Sequence, residues 1–90
     1  MPQERADRWP VQVEGPNSLL VEDLREPLRQ ALAHRGAFYR VYIDVIGRLD
    51  EVLVCITGSR GRLPLIFGGG ALEPDHVFRV VRDAVDEIRF

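Results

Sequence analysis

The sequence predicts an α+β domain, β-α-β-β-β-α, with a four-stranded mixed sheet carrying both helices on one face. Three observations lead there. Residues 37 to 67, AFYRVYIDVIGRLDEVLVCITGSRGRLPLIF, alternate apolar and polar positions with period two in three runs rich in Val, Ile, Tyr and Phe. Glycine-bearing turns separate those runs, which is the signature of consecutive antiparallel strands. On either side of them, apolar residues recur at helical spacing.

Met1 to Arg8 is polar and charged and reads as a disordered arm, so the domain is assigned to residues 9–90. Trp9 to Glu14 alternates Val11 and Val13 against Gln12 and Glu14, a short strand ended by Gly15 and Pro16. Leu20, Leu24, Leu28, Ala31 and Leu32 then mark a helix that runs to about Arg35 and stops at Gly36. Pro27 constrains its start, because an interior proline loses a hydrogen bond and costs ~3 kcal/mol. A start at Asp23 is therefore expected, with Glu26 completing a capping box and Pro27 near the first turn. The alternative is a longer helix capped by Ser18 and kinked at Pro27.

In the first strand of the central block Val41, Ile43 and Val45 share one face, and Arg40, Tyr42, Asp44 and Ile46 share the other. Gly47 to Asp50 turns the chain. The second strand sets Val52, Val54 and Ile56 against Leu53, Cys55 and Thr57, and Gly58 to Gly61 turns again. The third sets Leu63, Leu65 and Phe67 against Pro64 and Ile66. Pro64 cannot donate to a ladder, which makes this strand an edge. After Gly68, Gly69 and Gly70, a second helix spans Pro74 to about Ile88. Its buried stripe is Val77, Val80, Val81, Ala84, Val85 and Ile88, with Asp75–Arg79, Arg79–Asp83 and Arg82–Asp86 as i,i+4 pairs on the outer side. A strand, a helix and a parallel strand cross over so that both helices cover one sheet face. The other face is left open.

Ninety residues, 46% of them hydrophobic and 29% charged, suit one modest core and no second domain. No apolar run approaches the length of a membrane span, and the N-terminus lacks the apolar stretch of a signal peptide, so a cytoplasmic protein away from membranes is expected. One cysteine and two isolated histidines assemble neither a disulfide framework nor a metal site, and no cofactor motif is present. Gly68 to Gly70 lack the lysine of a phosphate loop and read as a flexible joint. Cys55 has no neighbouring base and reads as a packing residue, His34 as a favourable charge near a helix C-terminus, and His76 as solvent-facing. No nucleophile with a base and no carboxylate pair emerges, so an enzyme is not expected. All twelve basic residues are arginine, and fourteen acids leave a net charge of −2. That balance differs from the strongly basic one of most nucleic-acid-binding domains.

The segment VQVEGPNSLLVEDLREPLRQAL resembles the opening strand, glycine and LRE helix of the ribosome hibernation-promoting factors, the family that includes the ribosome-associated inhibitor A. Val11, Val13, Gly15, Leu24, Arg25, Glu26, Leu28 and Leu32 carry the likeness. The rest is similar in layout: two central strands, an edge strand, then a helix introduced by Asp75. The resemblance implies a fold related to double-stranded RNA-binding domains. It also implies a non-enzymatic translation regulator, active in stress, that binds rRNA of the small ribosomal subunit near the decoding region.

Two sets of candidate residues follow. Arg60 and Arg62 on a glycine-permitted hairpin tip, with Arg25, Arg29, Arg79 and Arg82 on the helices, are candidate RNA contacts, against the plainer reading of a polar turn and salt-paired surface. Tyr42, Ile46, Leu53 and Ile66, with Cys55, make the open sheet face apolar inside a margin of Gln12, Glu14, Arg40, Asp44 and Thr57. A solvated sheet face is normally more polar than this. The alternative function is therefore a protein-interaction module that homodimerises or binds a partner through that face.

Overall fold

The computed structural model describes residues 11–33, 35, 37–47, 50–68 and 72–88. The expected arm at residues 1–8, Trp9, His34, Gly36, Gly69 and Gly70 lie outside them. The order is β1 (Val11–Glu14), α1 (Ser18–Leu32), β2 (Tyr39–Ile46), β3 (Glu51–Gly58), β4 (Gly61–Phe67) and α2 (Pro74–Ile88). The sheet runs β1-β2-β3-β4. β1 lies parallel to β2 across the α1 crossover, and the other pairs are antiparallel hairpins. This is the α+β arrangement expected from the periodicity, with Pro64 on an edge strand.

Period two on the strands and 3.6 on the helices meet in one core. Leu24, Leu28 and Leu32 of α1 and Val77, Val81 and Val85 of α2 are buried together with Val41, Ile43, Val52, Val54 and Ile56 of the sheet. Fully burying each such side chain contributes about 1.5–3 kcal/mol, which is why the helix stripes are held to this one face.

α1 starts earlier than the capping box at Asp23 predicted. Asn17 is the N-cap, its side chain accepting a hydrogen bond from Leu20 N at 3.1 Å, and Pro27 is buried inside the helix. The interior proline costs ~3 kcal/mol. The extra turn offsets this, since the cap contributes about 1 kcal/mol and the burial of Val21 about 1.5–3 kcal/mol. The helix also ends sooner than Arg35, at Leu32, with Ala33 as C-cap donating to Arg29 O at 2.8 Å.

Two residues assigned to the core are exposed. Val45 is 43% exposed although its strand partner Val52 is buried, because β1 stops opposite Tyr42 and leaves the far end of β2 without a neighbour on that side. Ile88 is 52% exposed at the last turn of α2. The outer face of α2 also pairs differently from the expected i,i+4 ladder. Arg79 Nε donates to the Asp75 backbone carbonyl at 3.3 Å, and Arg82 pairs with Asp83 at 3.1 Å.

Asp86 instead bonds Arg35, which ties the two helices together. The Arg35 guanidinium donates to the Asp86 carboxylate, to Ala31 O at 2.9 Å and to Arg82 O at 3.4 Å. The hydrogen bond from Arg35 holds the Asp86 carboxyl below the usual range.

Candidate interaction face

The side of the sheet turned away from the helices is built by strand register alone. Cross-strand partners on one face form rows, and each row can be followed from β1 to β4. The first row is Gln12, Arg40, Thr57 and Arg62. The second is Glu14, Tyr42, Cys55 and Pro64, the third Asp44, Leu53 and Ile66, and the fourth Ile46 and Glu51. None of these side chains is fully buried.

Tyr42, Leu53 and Ile66 are thereby brought together. Cross-strand neighbours stand about 4.5–5.5 Å apart and diagonal ones about 7–8 Å, so Tyr42, Cys55, Pro64, Leu53 and Ile66 form one unbroken apolar surface. Ile66 is 60% and Tyr42 43% exposed, so neither helix covers it. Ile46 lies at the end of the face, in the row with Glu51, rather than at its centre.

Charge brackets this surface. Arg40 and Arg62 flank the row next to the β3–β4 turn, where Arg60 is also exposed. Asp44 and Glu51, with Asp50 in the turn, occupy the opposite end. Glu14 reaches Arg40 at 4.0 Å across β1 and β2. The Tyr42 hydroxyl donates to Asp44 at 3.4 Å. Desolvation, then the Asp44 carboxylate, holds the Tyr42 phenol above its ordinary value.

The candidate RNA contacts are dispersed over three places. Arg25 pairs with Glu22 at 2.6 Å, and Arg29 follows one turn later on the same flank of α1. α2 packs against the flank bearing Asp23, Pro27 and Gln30, where these residues and Pro74, Asp75 and Phe78 line the groove between the helices. At about 100° per residue, Arg25 points roughly 160° away from Pro27, so Arg25 and Arg29 do not converge with Arg79 and Arg82. Arg82 lies over the Phe78 ring at 5.2 Å, a cation–π contact. Arg60 lines a cleft of about 430 Å³ with Arg35, Tyr39, Ser59 and Asp86, and Arg62 stands on the open face opposite Thr57.

Three contributors to the face escaped the sequence reading. Phe38, 51% exposed, sits just before β2 and lines a depression of about 340 Å³ with Arg40, Thr57, Gly58 and Ser59. Continuing the β2 alternation back two residues from Arg40 finds it. Pro64 and Arg62 follow from the same period in β4: the alternation that sets Pro64 beside Ile66 adds it to the apolar patch, and one step further back brings Arg62, a candidate RNA contact, to the margin of this face.

Among the described residues no group of three or more His, Cys, Asp or Glu is placed to hold a metal ion, and no helix is long and apolar enough to cross a membrane. Cys55 is a free thiol, half-buried at the middle of the face. Comparison with family models, curated proteins and solved structures finds no match to this chain.

Proposed function

We propose that this domain is a non-enzymatic protein-interaction module that docks through the open face of its sheet. One observation carries the reading: Tyr42, Cys55, Pro64, Leu53 and Ile66 form a contiguous apolar surface that neither helix covers. Such a surface inside a charged rim is the ordinary mark of an interface. The arginine distribution supports a protein partner over a polyanion, since Arg25, Arg35, Arg40 and Arg82 each face a carboxylate of this chain.

Site-specific photo-cross-linking tests this reading. A photoreactive residue placed at Ile66 is expected to trap protein in cells, and one at Glu22 on the outer flank of α1 is not. Trapping at Glu22 with none at Ile66 overturns the reading.

A second reading keeps the function implied by the hibernation-factor resemblance, an rRNA-contacting regulator on the small ribosomal subunit. It is favoured by the β-α-β-β-β-α order together with Arg60 and Arg62 at one hairpin end. Co-sedimentation with small subunits at low salt, weakening steeply as salt rises, is its expected signature. Protein left at the top of the gradient refutes it.

A further inference from the structure

Resting on the reading of the open face as a docking surface, we propose that its occupant is a second copy of this chain, packed face to face with its strands reversed. The face is electrically two-ended. Among the described residues, Arg40 and Arg62 stand in the row next to the β3–β4 turn, with Glu14 beside Arg40 at 4.0 Å, and Asp44, Asp50 and Glu51 gather toward the β2–β3 turn. Apolar Cys55, Pro64, Leu53 and Ile66 lie between them.

Two identical sheets meet face to face only about a two-fold axis lying in the plane between them, and such an interface uses the same patch twice. An axis along the strands sets the basic end of one copy over the basic end of the other. An axis across the strands reverses the second copy and sets basic over acidic. Like charges brought together at an interface are penalised, so only the second arrangement suits this surface.

That operation also matches the apolar rows. With the axis between the second and third rows, Cys55 and Pro64 of one copy lie over Leu53 and Ile66 of the other. The Arg40 row then lies over the Ile46–Glu51 row, so Arg40 stands over Ile46 with the carboxylate of Glu51 of the second copy one strand away, while Glu14, at the same offset from Asp44 of the second copy, keeps Arg40 of its own chain as partner at 4.0 Å. Sheets pack about 10 Å apart, a distance these side chains span.

The size of the face sets the strength. Four strands at about 4.8 Å spacing and roughly seven residues of length give on the order of 450 Å² of projected face per copy. Two copies bury roughly 900 Å² before side-chain relief is counted, at the low end of specific interfaces. An interface of that size falls just short of the roughly 1,000 Å² expected of a stable one, so the dimer is expected to be weak and to be weakened further by salt.

Sedimentation equilibrium of the purified full chain tests this with two charge reversals. Wild type is expected to dimerise with concentration. Arg40→Glu alone and Glu51→Arg alone are each expected to weaken association at least tenfold, because each homodimer then opposes like charges twice. Mixed in equal amounts they are expected to dimerise again, since in the mixed pair both contacts join opposite charges. Arg62→Glu serves as the basic-end variant should circular dichroism show Arg40→Glu unfolded. A monomeric wild type overturns the second-copy assignment, and if Ile66 still traps another protein in cells the docking reading stands without it. A wild-type dimer broken by Ile66→Asp but not rescued by mixing the charge variants overturns the reversed arrangement alone.

Discussion

A Cβ on residue 15 would stand 2.1 Å from the backbone oxygen of Ile43, so Gly15 and Ile43 are in a backbone contact that only glycine permits. The contact arises where the chain leaves β1 and turns back over β2 toward α1. It fixes how closely the end of β1 approaches β2.

Gly15→Ala is therefore expected to destabilise strongly. Overpacking costs about 1–3 kcal/mol, and a clash with backbone, which cannot rotate away, belongs at or above the top of that range. For a domain of this size, a fall in melting temperature on the order of 10 °C or more is expected in a thermal melt. An unchanged melting temperature would show that β1 and β2 separate freely at this point.

The sheet was legible because its signal is local. Val41 and Ile43, Val52 and Val54, and Leu53 and Ile66 fall on their observed faces by period two alone, and short turns leave the hairpin register little freedom. The start of α1 was less legible because two strong local rules conflict, the penalty of Pro27 against the cap at Asn17 and the burial of Val21. The Arg35–Asp86 bond was not legible, since it joins residues 51 apart in the chain through the relative placement of two helices. The separation of Arg25 and Arg29 from Arg79 and Arg82 has the same origin. Helical periodicity shows which flank an arginine occupies, but not on which side the second helix lies.

Asn17→Ala and Asp23→Ala decide the start of α1. With Asn17 as the cap, its replacement is expected to cost about 1 kcal/mol in a denaturant melt. Asp23 is exposed and lies inside the helix, so its replacement should change stability by less than about 0.5 kcal/mol. The reverse ranking would place the first turn at Asp23.

The Arg35–Asp86 bond predicts an acid limb in stability. Asp86 titrates below the ordinary aspartate value of about 3.9, so its contribution is complete above that value and is lost as pH falls through its folded pKa. Asp86→Asn is expected to lower stability at neutral pH and to remove this part of the loss below about pH 4. Melting temperatures across that range, wild type against variant, are the measurement. Parallel curves would mean that the bond does not couple to folding.

Leu53 and Val54 are adjacent on β3 and face opposite ways, and a carboxylate at each position separates fold from surface. Val54 is fully buried between Ile43 and Leu65 as its strand partners, so Val54→Asp places an unpaired charge in the core. Its penalty of several kcal/mol is a large part of the roughly 5–15 kcal/mol that stabilises a domain, and the variant is expected to be unfolded or nearly so. Leu53 is half-buried on the open face, between Asp44 and Ile66. Leu53→Asp opposes a like charge on Asp44 across the strands, which costs about 0.2–1 kcal/mol, so the variant is expected to keep its fold with a small fall in melting temperature. Association is where it should fail, because pairing two faces would strip water from a carboxylate with Asp44 beside it. Far-ultraviolet circular dichroism and sedimentation on both variants read the two effects separately. A folded Leu53→Asp that still associates like wild type moves the interface elsewhere, and an unfolded one means that this face is not open.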